Sequence, residues 1–133
     1  MNYSDGEHKF MNKILLIGVA GLIGTLVRYS LSLWIDTRWD SALPIGTMTV
    51  NLIGCFVIGV VVHLAERQFL LDPDIRAAIL VGLLGGFTTF SSYAVQTFNL
   101  WVAGRFLLAA ANVGISNIGG LLLVWAGYAL VGR

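Results

Sequence analysis

With 133 residues, of which 57% are hydrophobic and only 11% charged, this chain falls short of the roughly one-quarter charged residues typical of a soluble domain. Its formal net charge of +1 implies no nucleic-acid surface, and its single cysteine, Cys55, excludes a disulfide framework or a thiol redox pair. The charges cluster between long apolar stretches, so we interpret the chain as an integral membrane protein.

Four uncharged or nearly uncharged stretches are each long enough to cross a hydrocarbon core of about 30 Å as a helix. We predict that the spans are Ile14–Ile35, Leu43–Leu64, Ala77–Val102 and Phe106–Val131. In lipid, every backbone N–H and C=O group must be satisfied within its own segment, so these spans must be helical. The expected fold class is therefore all-α integral membrane, with four transmembrane helices.

The residues before the first span are polar, and we expect residues 1–10 to form a disordered N-terminal extension, with Met11 as an alternative start. Residues 11–133 then form one four-helix transmembrane domain. Lys9 and Lys13 precede the first apolar run as in a signal peptide, but the run is too long and no small-residue cleavage site follows it. We therefore expect a retained helix.

The first two spans contain small residues at helical spacing, such as Gly18, Gly21 and Gly24 in the first and Cys55 and Gly59 in the second. Small residues allow helix backbones to approach closely within a membrane. We expect most of these positions only to pack helices. A compact bundle of this kind leaves little room for a lumen, so a transport path would involve a second subunit.

Positive charge gives only a weak signal for orientation. One side of the membrane would carry Lys9, Lys13, Arg67, Arg76 and Arg133, and the other would carry Arg38 and Arg105. The positive-inside rule favours the first side as cytoplasmic. The difference is small, and a weak bias permits insertion in both orientations.

Polar residues inside the spans are costly in hydrocarbon and therefore informative. Residues at i, i+4 spacing, which share one helix face, form two rows. They are Thr47, Asn51 and Cys55 in the second span, and Asn112, Ser116 and Gly120 in the fourth. An interhelical hydrogen bond of about 1 kcal/mol would by itself account for Asn51. Two polar rows together with an interrupted third span favour an ion path instead.

Arg28 is the only ionisable side chain well inside a span. It either extends to the interface or supplies positive charge near the mouth of an anion path. No Asp or Glu lies inside any span, which argues against a proton-coupled exporter. A small four-helix, dual-topology transporter is the alternative function, but that class requires a Glu that the first span lacks.

The third span contains the segment "GGFTTFSSY" (Gly85–Tyr93) near its centre, where a continuous helix is disfavoured. A broken helix exposes carbonyls, which attract cations, and N–H groups, which attract anions. Phe90 and Tyr93 would share one face if the helix resumed, and aromatic ring edges are electropositive. Together with the amide donors of Asn51, this chemistry suits a small anion that is being stripped of water.

These residues resemble a known family. "GGFTTFSSY" in the third span, "GTMTVNLIG" (Gly46–Gly54) in the second and Arg28 in "GTLVRY" of the first are similar to the Fluc fluoride-channel family, also called CrcB-type. The resemblance runs from Met11 onward, in order and in spacing. It implies a passive, fluoride-selective channel in the bacterial inner (cytoplasmic) membrane that gives fluoride resistance, and not an enzyme.

The resemblance also implies an assembly and a set of site residues. The assembly is an antiparallel, dual-topology homodimer in the lipid bilayer with two fluoride pores and a central structural Na⁺ ion. The backbone carbonyls of Gly85 and Thr88 would hold the Na⁺ ion. The fluoride pathway would comprise Asn51, Phe90, Tyr93, Thr47, Ser91, Ser92, Ser116 and Arg28.

The chain departs from the family pattern at four positions, namely Tyr93 for Phe, Gln96 for Glu, Gly120 for Ser and Val124 for Thr. The Tyr93 hydroxyl changes the contacts available to the ring. Asn117, beside the thinned polar row of the fourth span, could compensate for the lost hydroxyls. Because some members work as pairs of unlike subunits, one half of a heterodimeric channel is a further alternative.

Overall fold

The computed structural model describes residues 3–67 and 71–132, and within these ranges the chain is helical between short turns. The helices are α1 (Tyr3–Arg38), α2 (Ile45–Arg67), α3 (Pro73–Ala77), a first π-helical segment (Ala78–Leu84), α4 (Gly85–Phe87), α5 (Phe90–Val102), α6 (Phe106–Gly114), a second π-helical segment (Ile115–Gly119) and α7 (Gly120–Val131). Met1, Asn2 and Arg133 lie outside the described residues, so the charge counted at Arg133 is not placed.

Four helical stretches among the described residues are long and apolar enough to cross a membrane. We call them the first to fourth crossing segments, in chain order. They are Gly6–Arg38, Ile45–Glu66, Pro73–Val102 and Phe106–Val131. The last two end at Val102 and Val131 as the sequence predicted. The third begins at Pro73, because Asp72 caps the short helix α3 by accepting hydrogen bonds from the backbone N–H groups of Asp74 and Ile75.

Helix α1 begins much earlier than the predicted first span. It starts at Tyr3 and continues without interruption to Arg38. The segment that we expected to be a disordered extension over residues 1–10 is therefore helical from Tyr3. The extra turns are polar and lie on the N-terminal side of the apolar stretch, where Lys13 forms an ion pair with Asp74 at 3.1 Å.

Local features stabilise two of the turns between the long helices. The Asp36 carboxylate accepts a hydrogen bond from the backbone N–H of Gly46 at 2.9 Å, which joins the end of α1 to the start of α2. Between α5 and α6, Gly104 has a φ of 72°, a left-handed conformation that favours glycine. These two connections can therefore reverse the direction of the chain within a few residues.

Close backbone contacts join α2 to α7. A Cβ atom at Gly59 would overlap the carbonyl of Val124, and one at Gly127 would overlap the carbonyl of Phe56. We call this contact, formed by Gly59 and Gly127, the glycine seam. It confirms that small residues bring helix backbones together in this chain.

Helix α1 packs in a similar way against the third crossing segment, along the first π segment and α4. A Cβ atom at Gly24 would overlap the carbonyl of Leu83, whereas one at Gly18 would meet no atom within 4 Å. The spacing of the glycines in the first span therefore identified a packing face correctly, but only part of the row makes contact. Gly18 faces away from the described residues.

The two π-helical segments lie in the third and fourth crossing segments, and the second of them contains Ser116 and Asn117. A π-helical turn inserts an extra residue and shifts the direction of the side chains that follow it. The simple i, i+4 row that we predicted from Asn112 to Gly120 is therefore interrupted. Asn112 is fully buried, whereas Ser116 is only partly buried.

Candidate functional site

The backbone between α4 and α5 is extended at Thr88 (φ −93°, ψ 157°) and at Thr89 (φ −148°, ψ 115°). Thr88 closes α4, because its backbone N–H and its hydroxyl both donate to the carbonyl of Leu84 at 2.9 Å. Thr89 opens α5 as an N-cap whose hydroxyl oxygen accepts from the backbone N–H of Ser92 at 3.2 Å. We call Thr88 and Thr89 the extended pair. Their hydrogen bonds complete the end of α4 and the start of α5.

Asn51 of α2 pairs with both backbone groups of Thr89. The Thr89 N–H donates to the Asn51 Oδ1 atom at 2.8 Å, and the Asn51 Nδ2 atom donates to the Thr89 carbonyl at 3.1 Å. We call this two-point pair the clasp. It makes Asn51 an interhelical partner, as one of our two interpretations held, and it leaves the second Nδ2 hydrogen without an acceptor among the described residues.

Arg28 of α1 contacts the backbone of the third crossing segment. Its Nε atom donates to the carbonyl of Gly86 at 3.1 Å, just before the extended pair. Its side chain is partly buried, and no described carboxylate lies within ion-pair distance of it. Arg28 therefore brings positive charge against the backbone of the third crossing segment.

The carbonyl groups near the extended pair lack their usual helical partners. Thr89 N–H, which would donate to Gly85 in a continuous helix, is taken by the clasp. Among the described residues, no N–H group donates to the carbonyl of Gly85 or to that of Thr88. Gly85 is also exposed, and a Cβ atom there would meet only the Leu80 carbonyl at 3.8 Å. Two neutral oxygen ligands are thus available to a cation.

Phe90 and Tyr93 lie side by side at the start of α5. Their ring centroids are 5.5 Å apart and their planes are inclined by 48°. Phe90 is 78% exposed, whereas Tyr93 is partly buried. The Asn117 Nδ2 atom donates to the Tyr93 hydroxyl oxygen at 3.0 Å. The hydroxyl that distinguishes Tyr93 from the usual Phe therefore accepts a hydrogen bond from the fourth crossing segment.

The other predicted site residues occupy different environments. Thr47 is buried, and its hydroxyl oxygen accepts from Gln96 Nε2 at 2.9 Å. The buried Ser116 Oγ atom has no hydrogen-bond partner among the described residues. Ser92 accepts from the Thr89 hydroxyl at 3.0 Å, and the exposed Ser91 lies 3.4 Å from the same oxygen. The serines after the extended pair therefore support the N-cap.

A cavity of about 420 Å³ brings six of the ten predicted site residues together. They are Asn51, Phe90, Tyr93, Ser116, Gly85 and Thr88. Thr47, Ser91, Ser92 and Arg28 do not line it. No Asp, Glu, Lys, Arg or His is among its described lining residues, so its polar surface consists of amides, hydroxyls and backbone groups.

A second cavity of about 410 Å³ lies near the turn between α1 and α2, and Asp36, Asp40, Arg105 and Gln96 line it. Gln96 of this cavity donates to Thr47, which lies one helical turn before Asn51 of the first cavity. The polar row of the second span thus runs from one cavity toward the other.

Sequence reasoning missed the role of Thr89. It is the residue that Asn51 clasps, and it caps α5. The capping role had a local signal, a threonine directly before a resumed helix. The clasp had none, since Asn51 and Thr89 are 38 residues apart.

Comparisons with known proteins agree with the resemblance noted in the sequence. The family model described as "CrcB-like protein, Camphor Resistance (CrcB)" matches residues 15–128, which span all four crossing segments. The match therefore covers every residue of the candidate site.

Individual relatives are similar over nearly their full length. A protein of Pseudomonas fluorescens (strain SBW25) named fluoride-specific ion channel FluC is 42% identical over 121 residues, covering 88% of this chain and 94% of the relative. Proteins with the same name from Geotalea daltonii and Methylobacillus flagellatus are both 40% identical, and cover 90% and 91% of this chain and 96% and 95% of their own lengths. On these matches, the chain belongs to the CrcB-like family of multi-pass membrane proteins.

Proposed function

We propose that the chain is a subunit of a fluoride-selective ion channel that exports cytoplasmic fluoride passively and so gives fluoride resistance. One observation carries the proposal: Asn51, Phe90, Tyr93 and Ser116 meet in one uncharged cavity, in a family whose relatives are named fluoride-specific ion channels. The protein is accordingly a transport protein rather than an enzyme.

The cavity chemistry supports a small anion as the permeating species. The free Nδ2 hydrogen of Asn51 and the Ser116 hydroxyl are donors without partners among the described residues, and Phe90 presents an exposed ring. Donors and electropositive ring edges replace part of the hydration shell of an anion. Because none of the described residues that line the cavity carries a charge, the anion would be held weakly enough to leave again.

The pathway would continue from this cavity along α2. Gln96 of the second cavity donates to Thr47, one helical turn before Asn51 of the first, and Arg105 also lines the second cavity. Thr47 would then be a pathway residue, with Gln96 beside it. Ser91, Ser92 and Arg28 would act indirectly, by supporting the backbone on either side of the extended pair.

The extended pair would also hold a structural sodium ion, through the backbone carbonyls of Gly85 and Thr88. The two carbonyls receive no N–H group among the described residues, and neutral oxygen ligands suit a hard cation. Bound there, the ion would neutralise the partial charges of the broken helix. Replacing sodium by a large organic cation is expected to lower the melting temperature of the assembled channel; an unchanged melting temperature would contradict the site.

We propose an antiparallel homodimer, with the ion at its centre. Gly85 and Phe90 are exposed on the single chain beside the cavity, where a second subunit could cover them. The weak charge bias of the sequence is compatible with two opposite insertions. Four helices of this length suit a bacterial inner (cytoplasmic) membrane.

Anion efflux from liposomes that contain only the purified protein tests the function. Fast fluoride efflux without chloride efflux is expected. It would establish both the selectivity and the sufficiency of one kind of subunit. Equal efflux of both anions would contradict fluoride selectivity.

Absence of efflux from well-folded protein would contradict a self-sufficient homodimer. Adding candidate unlike subunits from the same genome would then separate a heterodimeric channel from a non-conducting protein. The small difference in positive charge between the two sides of the membrane also predicts that single molecules in cells insert in both orientations. Cysteine labelling at the ends of α1 would measure this.

A further inference from the structure

The amide of Asn117 has only one possible orientation. Its Nδ2 atom lies 2.8 Å from the carbonyl oxygen of Val113 and 3.0 Å from the hydroxyl oxygen of Tyr93. A carbonyl oxygen can only accept a hydrogen bond, so the nitrogen of the amide, and not its oxygen, must face Val113. One of the two Nδ2 hydrogens is thereby assigned to Val113.

The remaining Nδ2 hydrogen points at Tyr93 and sets the polarity of its hydroxyl. An amide nitrogen does not accept hydrogen bonds, so the Tyr93 oxygen must be the acceptor in this pair. The hydroxyl hydrogen of Tyr93 must therefore point away from Asn117. It has no acceptor among the described residues, although both side chains line the 420 Å³ cavity.

We infer that Tyr93 donates a hydrogen bond from its hydroxyl to the permeating anion, and that Asn117 is the positioning residue that fixes the direction of this donor. The inference deepens the proposed function and rests on it. A hydroxyl that accepts one hydrogen bond becomes a stronger donor for another. Fluoride, a small anion and a strong acceptor, would benefit most from such a donor. A ring edge alone offers a weaker contact.

The backbone of Tyr93 is held separately from its hydroxyl. The Thr97 hydroxyl donates to the Tyr93 carbonyl at 2.8 Å, and the fully buried Asn112 donates to the Thr97 hydroxyl oxygen at 2.8 Å. These bonds fix α5 against α6 and do not involve the hydroxyl. Thr97→Val therefore offers a control that removes these two bonds and leaves both side chains of the Tyr93–Asn117 pair unchanged.

Fluoride efflux tests the inference in Tyr93→Phe, Asn117→Leu and the double variant. Each single variant is expected to conduct about tenfold more slowly than the wild type. Tyr93→Phe removes the hydrogen bond to the charged acceptor, and Asn117→Leu removes the contact that directs the Tyr93 hydroxyl toward it. The double variant is expected to be no slower than Tyr93→Phe by more than about twofold, since Asn117 acts through Tyr93. Tyr29→Phe removes an exposed phenol hydroxyl from α1 and should conduct as the wild type does.

A Tyr93→Phe channel that conducts at the wild-type rate would overturn the inference. So would single-variant losses that multiply in the double variant, because Asn117 would then act independently of the hydroxyl. If the wild type itself passes no fluoride, the proposed function fails, and a binding measurement decides the inference on its own.

The binding measurement is an infrared difference spectrum of the reconstituted protein in fluoride and in chloride. A phenol band that shifts in fluoride is expected in the wild type and in Thr97→Val. The band should be absent in Tyr93→Phe and weaker in Asn117→Leu. The absence of any Tyr93-dependent shift in a wild-type channel that conducts fluoride would overturn the inference and leave the proposed function standing.

Discussion

The glycine seam and the clasp both lie on α2, and they join it to its neighbours in opposite ways. At the seam, Gly59 and Gly127 let two backbones touch without any polar side chain. At the clasp, Asn51 extends its amide to the backbone of Thr89. The seam has no room for a side chain, whereas the clasp requires the amide oxygen and nitrogen of Asn51. Assembly of the subunit and formation of the site are therefore separable properties of one helix.

Gly127→Ala should have the largest effect on folding, because it places a methyl group inside the glycine seam. The added Cβ atom would overlap the Phe56 carbonyl, and backbone cannot move away as a flexible side chain can. Such overpacking costs about 3 kcal/mol or more. We expect little monodisperse protein after detergent extraction, measured by size-exclusion chromatography. Gly18→Ala, where nothing lies within 4 Å, is the matched control; normal recovery of Gly127→Ala would contradict the seam.

Gly85→Glu should leave the subunit folded and prevent its dimerisation. The single chain has room for the side chain, since only the Leu80 carbonyl lies within 4 Å of the added Cβ atom. In the proposed dimer, two new carboxylates would meet at its centre. Crosslinking in detergent should yield monomers with native helix content by circular dichroism. Normal dimers would place the extended pair away from the dimer axis.

Asn51→Asp should abolish fluoride flux while the dimer persists. The substitution replaces the amide donor with an anionic oxygen, which repels an anion in the cavity and faces the Thr89 carbonyl. We expect flux to fall by about a hundredfold or more, equivalent to roughly 2.7 kcal/mol. Asn12→Asp, on the exposed part of α1, is the control. Wild-type flux through Asn51→Asp would contradict an anion path along α2.

Arg28→Gln should have the smallest effect of the four. It weakens the hydrogen bond to Gly86 beside the extended pair and leaves both the seam and the clasp intact. A lost hydrogen bond of this kind costs about 1 kcal/mol. The thermal midpoint should therefore fall by a few degrees relative to Lys9→Gln, an exposed control on α1. An unchanged midpoint would show that Arg28 does not stabilise this backbone.

The crossing helices were predictable because hydropathy and turn residues are local signals. The third span ends at Val102 and the fourth begins at Phe106 in both the prediction and the structure, with the left-handed Gly104 between them. The extension of α1 back to Tyr3 was missed, since polar residues outside the apolar core carry no hydropathy signal.

The sequence indicated six residues that line the first cavity, but not the hydrogen bonds that they form. The low helix propensity of "GGFTTFSSY" indicated an interruption, and an asparagine inside a span indicated a polar partner. The choice of Thr89 as that partner depends on tertiary packing, as does the pairing of Asn117 with Tyr93. The π-helical segment at Ile115–Gly119 likewise results from packing, and it shifted the fourth-span row away from simple i, i+4 spacing.

The clasp also bears on how the chain is made. A segment with two extended residues carries unpaired backbone groups, each costing several kcal/mol in hydrocarbon, so the third crossing segment is poorly suited to lipid by itself. Its side-chain partners from other helices, Arg28 and Asn51, both precede it in the chain and are synthesised first. Because of this order, the helices that carry both partners are already synthesised when the third segment leaves the translocon.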